Sequence, residues 1–341
     1  MNGYMNAIVG NKSIRQKLCS DIHADKLSHA FIIEGSRGTG KHTLAMNVAA
    51  ALACSHKSAG TIPCYECSEC RKILAGNSPD IITVGCDGKA TFSVETVRYV
   101  KEDVHTVPND LEFKLYIIED ADKMTVQAQN AFLLTLEEPP SFVRFILLCE
   151  NAGLLLETIR SRAPVLRTEP VDNASLDEYI CKADRRAAQL KLTSPSDYAE
   201  LIMAAKHGIG TALEYLEPKS FAPVMDIRAL AIDFCDTATS TPSAKAVIPL
   251  LSRFSQKRDI LSKQLSALSE AVTDLTLLKK SDDAPLDFFA NRNFAIEICD
   301  RVSLSFLYTL SCAVMDAIDK NQRNANVRLL LLKLISDAEL I

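Results

Sequence analysis

Short apolar runs alternate with longer amphipathic segments over the first half of the chain. Four of these runs have the length and the continuous apolar character of strands that are buried on both faces: 30–33, 81–84, 115–118 and 145–148. Between the runs, segments such as 43–53 and 125–136 carry apolar residues at helical spacing. Strands that alternate with helices predict an α/β fold with a doubly wound sheet over residues 1–167.

The second half of the chain has a helical pattern throughout. Residues 168–222 predict a few short helices, with Ser175 and Ser196 as N-caps and with Gly208 and Gly210 as breaks. This segment is predicted to be a small helical domain.

Residues 223–341 predict a second, larger helical domain. Apolar residues recur at helical spacing over two long stretches, 247–278 and 295–318, and residues 324–340 predict a final helix. The chain is therefore expected to have three parts: an α/β domain, a small helical domain and an all-α domain.

Composition and charge narrow the function classes. The net charge of -5 argues against a protein that coats nucleic acid by itself, because phosphate neutralisation needs an excess of Lys and Arg. No stretch reaches the roughly 20 apolar residues of a membrane span, and residues 1–16 lack the pattern of a signal peptide. We therefore expect a cytoplasmic protein without a membrane partner.

The chain has 11 cysteines, which a reducing compartment keeps as thiols. Seven are scattered, mostly among apolar neighbours, and buried free thiols account for them. The other four are Cys54, Cys64, Cys67 and Cys70, with the spacing C-x9-C-x2-C-x2-C. Four thiolates at this spacing can surround one tetrahedral zinc ion, which predicts a structural zinc site within an insertion over residues 54–70. A redox pair or thiols without metal are the alternatives.

A glycine-rich segment follows the first predicted strand and precedes a predicted helix. It contains Gly35, Gly38, Gly40 and Lys41 in the arrangement G-x-x-x-x-G-K. Glycines allow backbone amides to surround phosphate oxygens, the lysine reaches the terminal phosphates, and the helix N-terminus adds its dipole. The segment predicts a nucleotide phosphate loop; the alternative is a glycine turn that binds nothing.

The residue after the loop lysine departs from the motif. A Ser or Thr hydroxyl normally holds magnesium there, but this chain has His42, and imidazole is a poor ligand for a cation that prefers oxygen. Thr43 follows and is expected to point elsewhere on the helix. The loop therefore predicts a nucleotide site in which magnesium binding and full catalytic competence are not expected.

Two acidic residues end the apolar run 115–118. Carboxylates at this end of a strand hold magnesium and polarise the attacking water in a Walker B motif, usually as Asp followed by Glu. Here Glu119 comes first and Asp120 second, so the candidate base is one methylene shorter than expected. The alternative is that both residues only cap the next helix.

Several of these motifs together resemble those of the clamp-loader members of the AAA+ ATPases, the bacterial DNA polymerase III gamma/tau and delta-prime subunits. The cysteine insertion is one such motif, and the segment NAFLLTLEEPP at 130–140 is similar to a helix end of the family. TIRSR at 158–162 resembles the family's Ser-Arg-Cys motif, with Ala163 in place of the cysteine. The segment 324–329 resembles the closing helix of the family.

The resemblance implies a hetero-pentamer of gamma/tau-type and delta-type partners that loads a sliding clamp onto primed DNA. The α/β domain and small helical domain would be an AAA+ core and its lid, and residues 223–341 a collar that holds the subunits together. Arg162 would act as an arginine finger in the ATP site of a neighbouring subunit; the alternative is a surface arginine that pairs with a local acid.

The departures favour a delta-prime-type stator over the alternative, an ATP-hydrolysing gamma/tau-type motor. Besides His42 and the reversed acidic pair, Cys149 or Glu150 replaces an expected Thr or Asn, and residues 206–213 contain no arginine where motor subunits carry one. Zinc is the expected cofactor. ATP or ADP could be held by the loop without hydrolysis.

Overall fold

The computed structural model describes residue 5 and residues 8–57, 62–86, 91–240 and 244–340. They form two compact units. The α/β unit comprises Met1–Tyr179 together with His207–Thr211, and the helical unit comprises Ile180–Lys206 together with Ala212–Ile341. The three-domain division expected from the sequence stays a prediction.

The α/β unit contains a parallel sheet. Its strands are β1 (Ala30–Glu34), β2 (Ile81–Val84), β3 (Lys114–Ile118), β4 (Val143–Cys149) and β5 (Val165–Arg167). Their order across the sheet is β2-β3-β4-β1-β5, and each neighbouring pair is parallel. The four runs predicted as strands are confirmed, each with bounds that agree to within two residues.

Helices cover both faces of this sheet. In chain order they are α1 (Lys12–His23), α2 (Lys41–Ala53), α3 (Ser68–Leu74), α4 (Val94–Asp103), α5 (Val126–Glu137) and α6 (Glu157–Arg160). Ser93 and Thr125 accept backbone N–H groups of the first turns of α4 and α5, which fixes where these two helices begin.

Alternate residues of each strand enter two different cores. Phe31 and Ile33 pack with residues of α1, α2 and α3, whereas Ile32 packs with residues of α4 and α5. On the second face, the ring of Phe145 stacks on Tyr116 at 5.4 Å between centroids. Because both faces of the central strands are buried, β1, β3 and β4 each contain a continuous apolar run.

The rest of the described chain is helical. The helices are α7 (Asn173–Ala183), α8 (Arg185–Thr193), α9 (Pro195–Ala204), α10 (Ile209–Tyr215), α11 (Pro218–Ser240), α12 (Ala244–Leu251), α13 (Arg258–Lys280), α14 (Arg292–Asp300), α15 (Leu304–Gln322) and α16 (Val327–Asp337). In the helical unit, α13 packs against α11 and α15 around one apolar core.

The structure divides both long periodic stretches, and it contradicts two predicted N-caps. Each long periodic stretch is two helices: residues 252–257 separate α12 from α13, and residues 301–303 separate α14 from α15. Asp172, not Ser175, accepts a backbone N–H in the first turn of α7, and Ser194, not Ser196, precedes α9. Apolar periodicity indicates which residues are buried. It does not show where one helix ends when the next helix packs against the same core.

Of the helices in the described ranges, none is by itself long and apolar enough to cross a membrane. Helices α14 and α15 reach the required length and apolar character only as a pair, and that pair is bent by 106°.

Candidate phosphate site and cysteine cluster

The phosphate loop joins the carboxyl end of β1 to the first turn of α2. Gly38 and Gly40 have φ values of 79° and 82°, in the left-handed region that favours glycine. Lys41 begins α2, and its Nζ donates to the carbonyl oxygens of Gly35 at 2.6 Å and Ser36 at 3.0 Å. The side chain of Lys41 therefore folds back over the loop.

Residues outside the motif lie against the loop on two sides. A Cβ atom on Gly35 would lie 1.7 Å from Thr168 Oγ1, and one on Gly38 would lie 2.2 Å from Thr211 Oγ1. The backbone N–H of Gly210 donates to the Gly38 carbonyl at 3.1 Å. Gly210 is predicted from the sequence as a helix break, but it lies inside α10. Neither threonine is predicted from the sequence, because nothing local connects them to the loop.

Lys41 is half-buried and forms no ion pair with a carboxylate of the described residues. Burial lowers the pKa of its ammonium, and the through-space influence of Glu150, Cys149, Asp122 and Asp120 opposes that shift. A half-buried cation without a direct anionic partner is energetically unfavourable. The loop is therefore electrostatically suited to an anionic ligand.

His42 extends from the first turn of α2 to the end of β3. Its Nδ1 lies 2.8 Å from Glu119 Oε1, and the two side chains are 48% and 41% exposed. The structure thus brings together two residues of the sequence prediction, the atypical histidine of the loop and the first acidic residue of the second motif. An exposed pair of this kind contributes about 0–1 kcal/mol to stability. Thr43 is exposed, and its carbonyl accepts the side-chain amide of Asn47 at 2.8 Å.

The other acids at this edge of the sheet have protein partners. Asp120 has a φ of 52°, and its Oδ1 lies 2.9 Å from Lys123 Nζ. Asp122 Oδ2 accepts the backbone N–H groups of Glu150 and Asn151 at 3.0 and 3.1 Å, and thereby ties the end of β3 to the end of β4. The sequence alone predicts no role for Asp122.

Arg162 follows α6 at the surface of the α/β unit. It forms an ion pair with Glu137, at the end of α5, and its Nη1 donates to the Thr158 carbonyl at 2.9 Å. Its side chain is 37% exposed. The structure therefore shows a local partner for this arginine on an accessible surface, and the finger role stays a prediction.

The four clustered cysteines meet between α2 and α3. Cys54 ends α2, Cys67 and Cys70 lie at the start of α3, and Cys64 lies in the preceding loop. All four Sγ atoms lie within 4.8 Å of one another. The backbone N–H groups of Cys67 and Cys70 point at the sulfurs of Cys64 and Cys67, at 3.3 and 3.4 Å. Although partial burial opposes it, N–H donation lowers the pKa of Cys64 to about 6.

This geometry fits a tetrahedral metal. Zinc–thiolate bonds of about 2.3 Å place tetrahedral sulfurs about 3.8 Å apart, and the sulfurs of Cys64 and Cys70 are 3.9 Å apart. N–H groups that point at sulfur favour the thiolate form that a metal needs. Four thiolates leave no open coordination position, so the cluster can hold a structural ion.

The cysteine cluster is also bonded to the phosphate-loop helix. The hydroxyl of Tyr65 donates to Asn47 Oδ1 at 2.8 Å, and Asn47 in turn donates to the Thr43 carbonyl in the first turn of α2. Asn47 is buried, and Tyr65 is partly buried. The sequence does not predict this contact, because neither residue belongs to a motif.

The parallel sheet, the loop after β1 and the acidic end of β3 define a P-loop protein of the α/β class. Residues 10–172 match the model of the family described as DNA polymerase III, delta subunit. The chain is 31% identical over 196 residues to the delta' subunit of Bacillus subtilis, an alignment that covers 57% of this chain and 59% of that protein. It is 32% identical over 173 residues to the tau/gamma subunit of Haemophilus influenzae, covering 51% of this chain and 25% of that protein.

A solved structure of a gamma-subunit-related protein from Thermotoga maritima covers 95% of this chain and 98% of that chain, with 16% identity and a TM-score of 0.43, too low to support a structural conclusion. In the alignments with the two curated relatives, this chain covers 59% and 25% of their lengths, which is less than two thirds of either protein. Over about half of its length, this chain is therefore similar to DNA polymerase III subunits of the delta', gamma and tau kinds.

Proposed function

We propose that this chain is a delta-prime-type subunit of the DNA polymerase III clamp loader, which acts as a stator and supplies Arg162 in trans to a neighbouring ATP site. The observation that carries this proposal is the contact between His42 and Glu119. In a hydrolytic P-loop site, a hydroxyl after the loop lysine and a carboxylate at the end of the strand equivalent to β3 together hold magnesium. Here His42 stands in place of the hydroxyl and contacts the carboxylate of Glu119 directly.

Hydrolysis by the chain itself lacks two components. Magnesium normally bridges the terminal phosphates and neutralises the charge that develops on them, and here His42 offers a nitrogen that this cation disfavours. The second component is a carboxylate that orients the attacking water. Asp120, the candidate for that role, is paired with Lys123.

The surface position of Arg162 supports a role in trans. Its partner Glu137 is 38% exposed, so the pair is accessible to solvent, and such a pair contributes only about 0–1 kcal/mol. The terminal phosphate of a nucleotide that is bound to a neighbouring subunit carries more negative charge than one carboxylate. Arg162 can therefore leave Glu137 for a nucleotide at little cost.

The remaining parts of the proposal follow from membership of this assembly. We expect gamma/tau-type and delta-type subunits as partners in a hetero-pentamer, with a sliding clamp and primed DNA as the objects of its work, in the cytoplasm. Residues 223–341 would form the collar that joins the subunits, and residues 168–222 the lid. The cysteine cluster would hold one structural zinc ion.

A gamma/tau-type motor is the second candidate. The loop retains Gly35, Gly38, Gly40 and Lys41 in hydrolytic order, and the tau/gamma relatives match about as well as the delta' relative does. In that case the chain would bind and hydrolyse ATP, and Glu119 would have to exchange His42 for magnesium.

Steady-state ATP hydrolysis by the reconstituted loader separates these candidates. The loader would contain this chain as wild type, Lys41→Ala, Arg162→Ala or Arg160→Ala, together with its motor and clamp-opening partners. We expect Arg162→Ala to lower the rate by a large factor, since arginine fingers contribute on the order of 10³–10⁵ to the rate of one site. The measured rate is that of the whole loader, so it falls by a smaller factor than the rate of the one affected ATP site.

Arg160 is the matched control, because it is an exposed arginine two residues away, at the end of α6. Arg160→Ala and Lys41→Ala should leave the rate near that of the wild type. If Lys41→Ala lowers the rate as much as Arg162→Ala does, the chain is itself a motor and the stator proposal is wrong.

A further inference from the structure

We infer that the phosphate loop of this chain binds the polyphosphate group of a nucleoside diphosphate or triphosphate without a divalent cation, and that His42 and Glu119 together occupy the position of magnesium. This inference rests on the proposed function in one respect, that the loop does not serve hydrolysis. Two independent features of the site carry it: the uncompensated charge of Lys41 and the direct contact of His42 with Glu119.

Lys41 supplies the attraction for an anion. Its ammonium contacts two backbone carbonyls and no carboxylate in the described part of the chain. It also stands at the N-terminus of α2, a helix of 13 residues, where the helix dipole favours negative charge. A phosphate group bound here would give Lys41 the ionic partner that the protein does not provide.

Neighbouring acids do not cancel this attraction. Glu150, Asp122 and Asp120 act on Lys41 only through space. Asp120 is paired with Lys123, and Asp122 accepts two backbone N–H groups at the end of β4. The charges of Asp120 and Asp122 are therefore partly compensated by donors other than Lys41.

The protein ligands that a magnesium ion normally has at a phosphate loop are altered here. Magnesium needs six near-octahedral ligands at about 2.0–2.1 Å, which are almost always oxygens. Among the described residues at this edge, Glu119 is the carboxylate that contacts the loop helix, through His42. The hydroxyl that would be the second ligand is replaced by imidazole. One carboxylate oxygen of Glu119 is therefore already engaged by a side chain of the protein.

A phosphate group therefore meets a site whose acidic residue already has a partner. In a magnesium-dependent loop, the metal keeps the phosphates and the carboxylate from repelling each other. Here the imidazole of His42 contacts Glu119 from α2, and we infer that it takes over the metal's role of reducing the repulsion between the carboxylate and the phosphates. The consequence is an affinity for nucleotide that does not change when magnesium is removed.

Isothermal titration calorimetry of the purified full-length chain with ADP tests this inference. Each titration is made once with magnesium and once with EDTA at matched ionic strength. The variants are Lys41→Ala, His42→Ser and, as a control, Lys101→Ala, which removes an exposed lysine of α4. Far-UV circular dichroism of each variant checks that it has folded.

We expect the wild type and Lys101→Ala to bind ADP with the same affinity in both buffers. Lys41→Ala should weaken binding by roughly tenfold or more, because it removes a charge-assisted contact. His42→Ser restores the hydroxyl and frees Glu119, so its affinity should become higher in magnesium than in EDTA, by about tenfold.

Three results would overturn the inference: no ADP binding by the wild type in either buffer, binding that survives Lys41→Ala, or a magnesium dependence of the wild type as large as that of His42→Ser. None of these results concerns Arg162, so the stator proposal is tested separately by the hydrolysis rate of the reconstituted loader.

Discussion

At the scale of single residues, two glycines of the phosphate loop have the same backbone conformation and different surroundings. Both Gly38 and Gly40 have φ near 80°. A Cβ atom on Gly38 would lie 2.2 Å from Thr211 Oγ1 and 2.7 Å from the Thr211 nitrogen, whereas one on Gly40 would meet nothing within 4 Å. Gly38 is thus required by its neighbours as well as by its conformation.

Alanine at these two positions separates the two effects. Gly40→Ala should destabilise the chain by about 1–2 kcal/mol, the cost of a left-handed conformation for a residue with a Cβ. Gly38→Ala should cost a further 1–3 kcal/mol, roughly, because the backbone of Thr211 has to move. Urea unfolding followed by circular dichroism, with equal m-values, measures both; equal losses for the two variants would show that Thr211 does not press on the loop.

The glycines, Lys41 and the four cysteines could be identified from the sequence because each motif is a local arrangement of residue types. The partners of these residues could not. Glu119 is 77 residues from His42 along the chain, and the contact between them depends on the parallel strands that place the ends of β1 and β3 at the same edge of the sheet.

At the scale of elements, α2 connects the two candidate sites of the α/β unit. Lys41 begins this helix and Cys54 follows its last residue, about 20 Å away at 1.5 Å per residue. Tyr65, in the cysteine loop, is bonded to Asn47 at the middle of the helix. A metal held by the cysteines would therefore fix the helix at its C-terminal end and, through Tyr65, at its middle.

Loss of the Tyr65 hydroxyl should weaken metal retention without removing the metal ligands. Elemental analysis should find about one zinc per chain in the wild type and in Tyr65→Phe, and none in Cys67→Ser. The rate of zinc transfer to a chromogenic chelator should rise roughly tenfold in Tyr65→Phe, the usual effect of losing a contact that orients a ligand loop.

Tyr99→Phe is the matched control, since Tyr99 lies on α4 and is 54% exposed. Its transfer rate should equal that of the wild type. Absence of zinc from wild-type protein with four free thiols would contradict the metal site itself, and equal rates for the two tyrosine variants would contradict the link through Asn47.

The elements of the α/β unit were easier to predict than those of the helical unit. A strand buried on both faces is a short apolar run that ends where the chain becomes polar, so its bounds are visible. A helix that follows another around the same core continues the same periodicity. The break between α14 and α15 has a local signal, Ser303, whose side chain accepts the backbone N–H of Phe306, but the apolar pattern alone does not separate the two helices.

At the scale of the whole molecule, the two units have separate apolar cores. The helical unit buries residues such as Leu310 and Leu268 in one cluster, while the sheet of the α/β unit separates two others. Among the described residues, none belongs to the apolar cores of both units. The stability of one unit can therefore be changed through its own core.

A cavity in the helical core should affect the helical unit first. Leu310→Ala removes a fully buried side chain of α15 and should destabilise that unit by about 2–5 kcal/mol. Hydrogen–deuterium exchange with peptide mass analysis should show faster exchange in α13 and α15, with little change in β1.

Leu329→Ala provides the comparison, because Leu329 on α16 is 67% exposed and a surface substitution usually stays within about 0.5 kcal/mol. Faster exchange in β1 to the same extent as in α13 would mean that the two units unfold together.

The sequence by itself determined the class of the fold, the phosphate loop, the acidic strand end and the four-cysteine spacing. It could do so because these features depend on neighbouring residues, on strand-length apolar runs and on fixed short spacings. The tertiary structure alone decided the pairing of His42 with Glu119, the partner of Arg162 and the packing of Thr211 against Gly38. Those contacts join residues from different strands, helices and turns, and only the folding of the sheet and its covering helices brings them within reach.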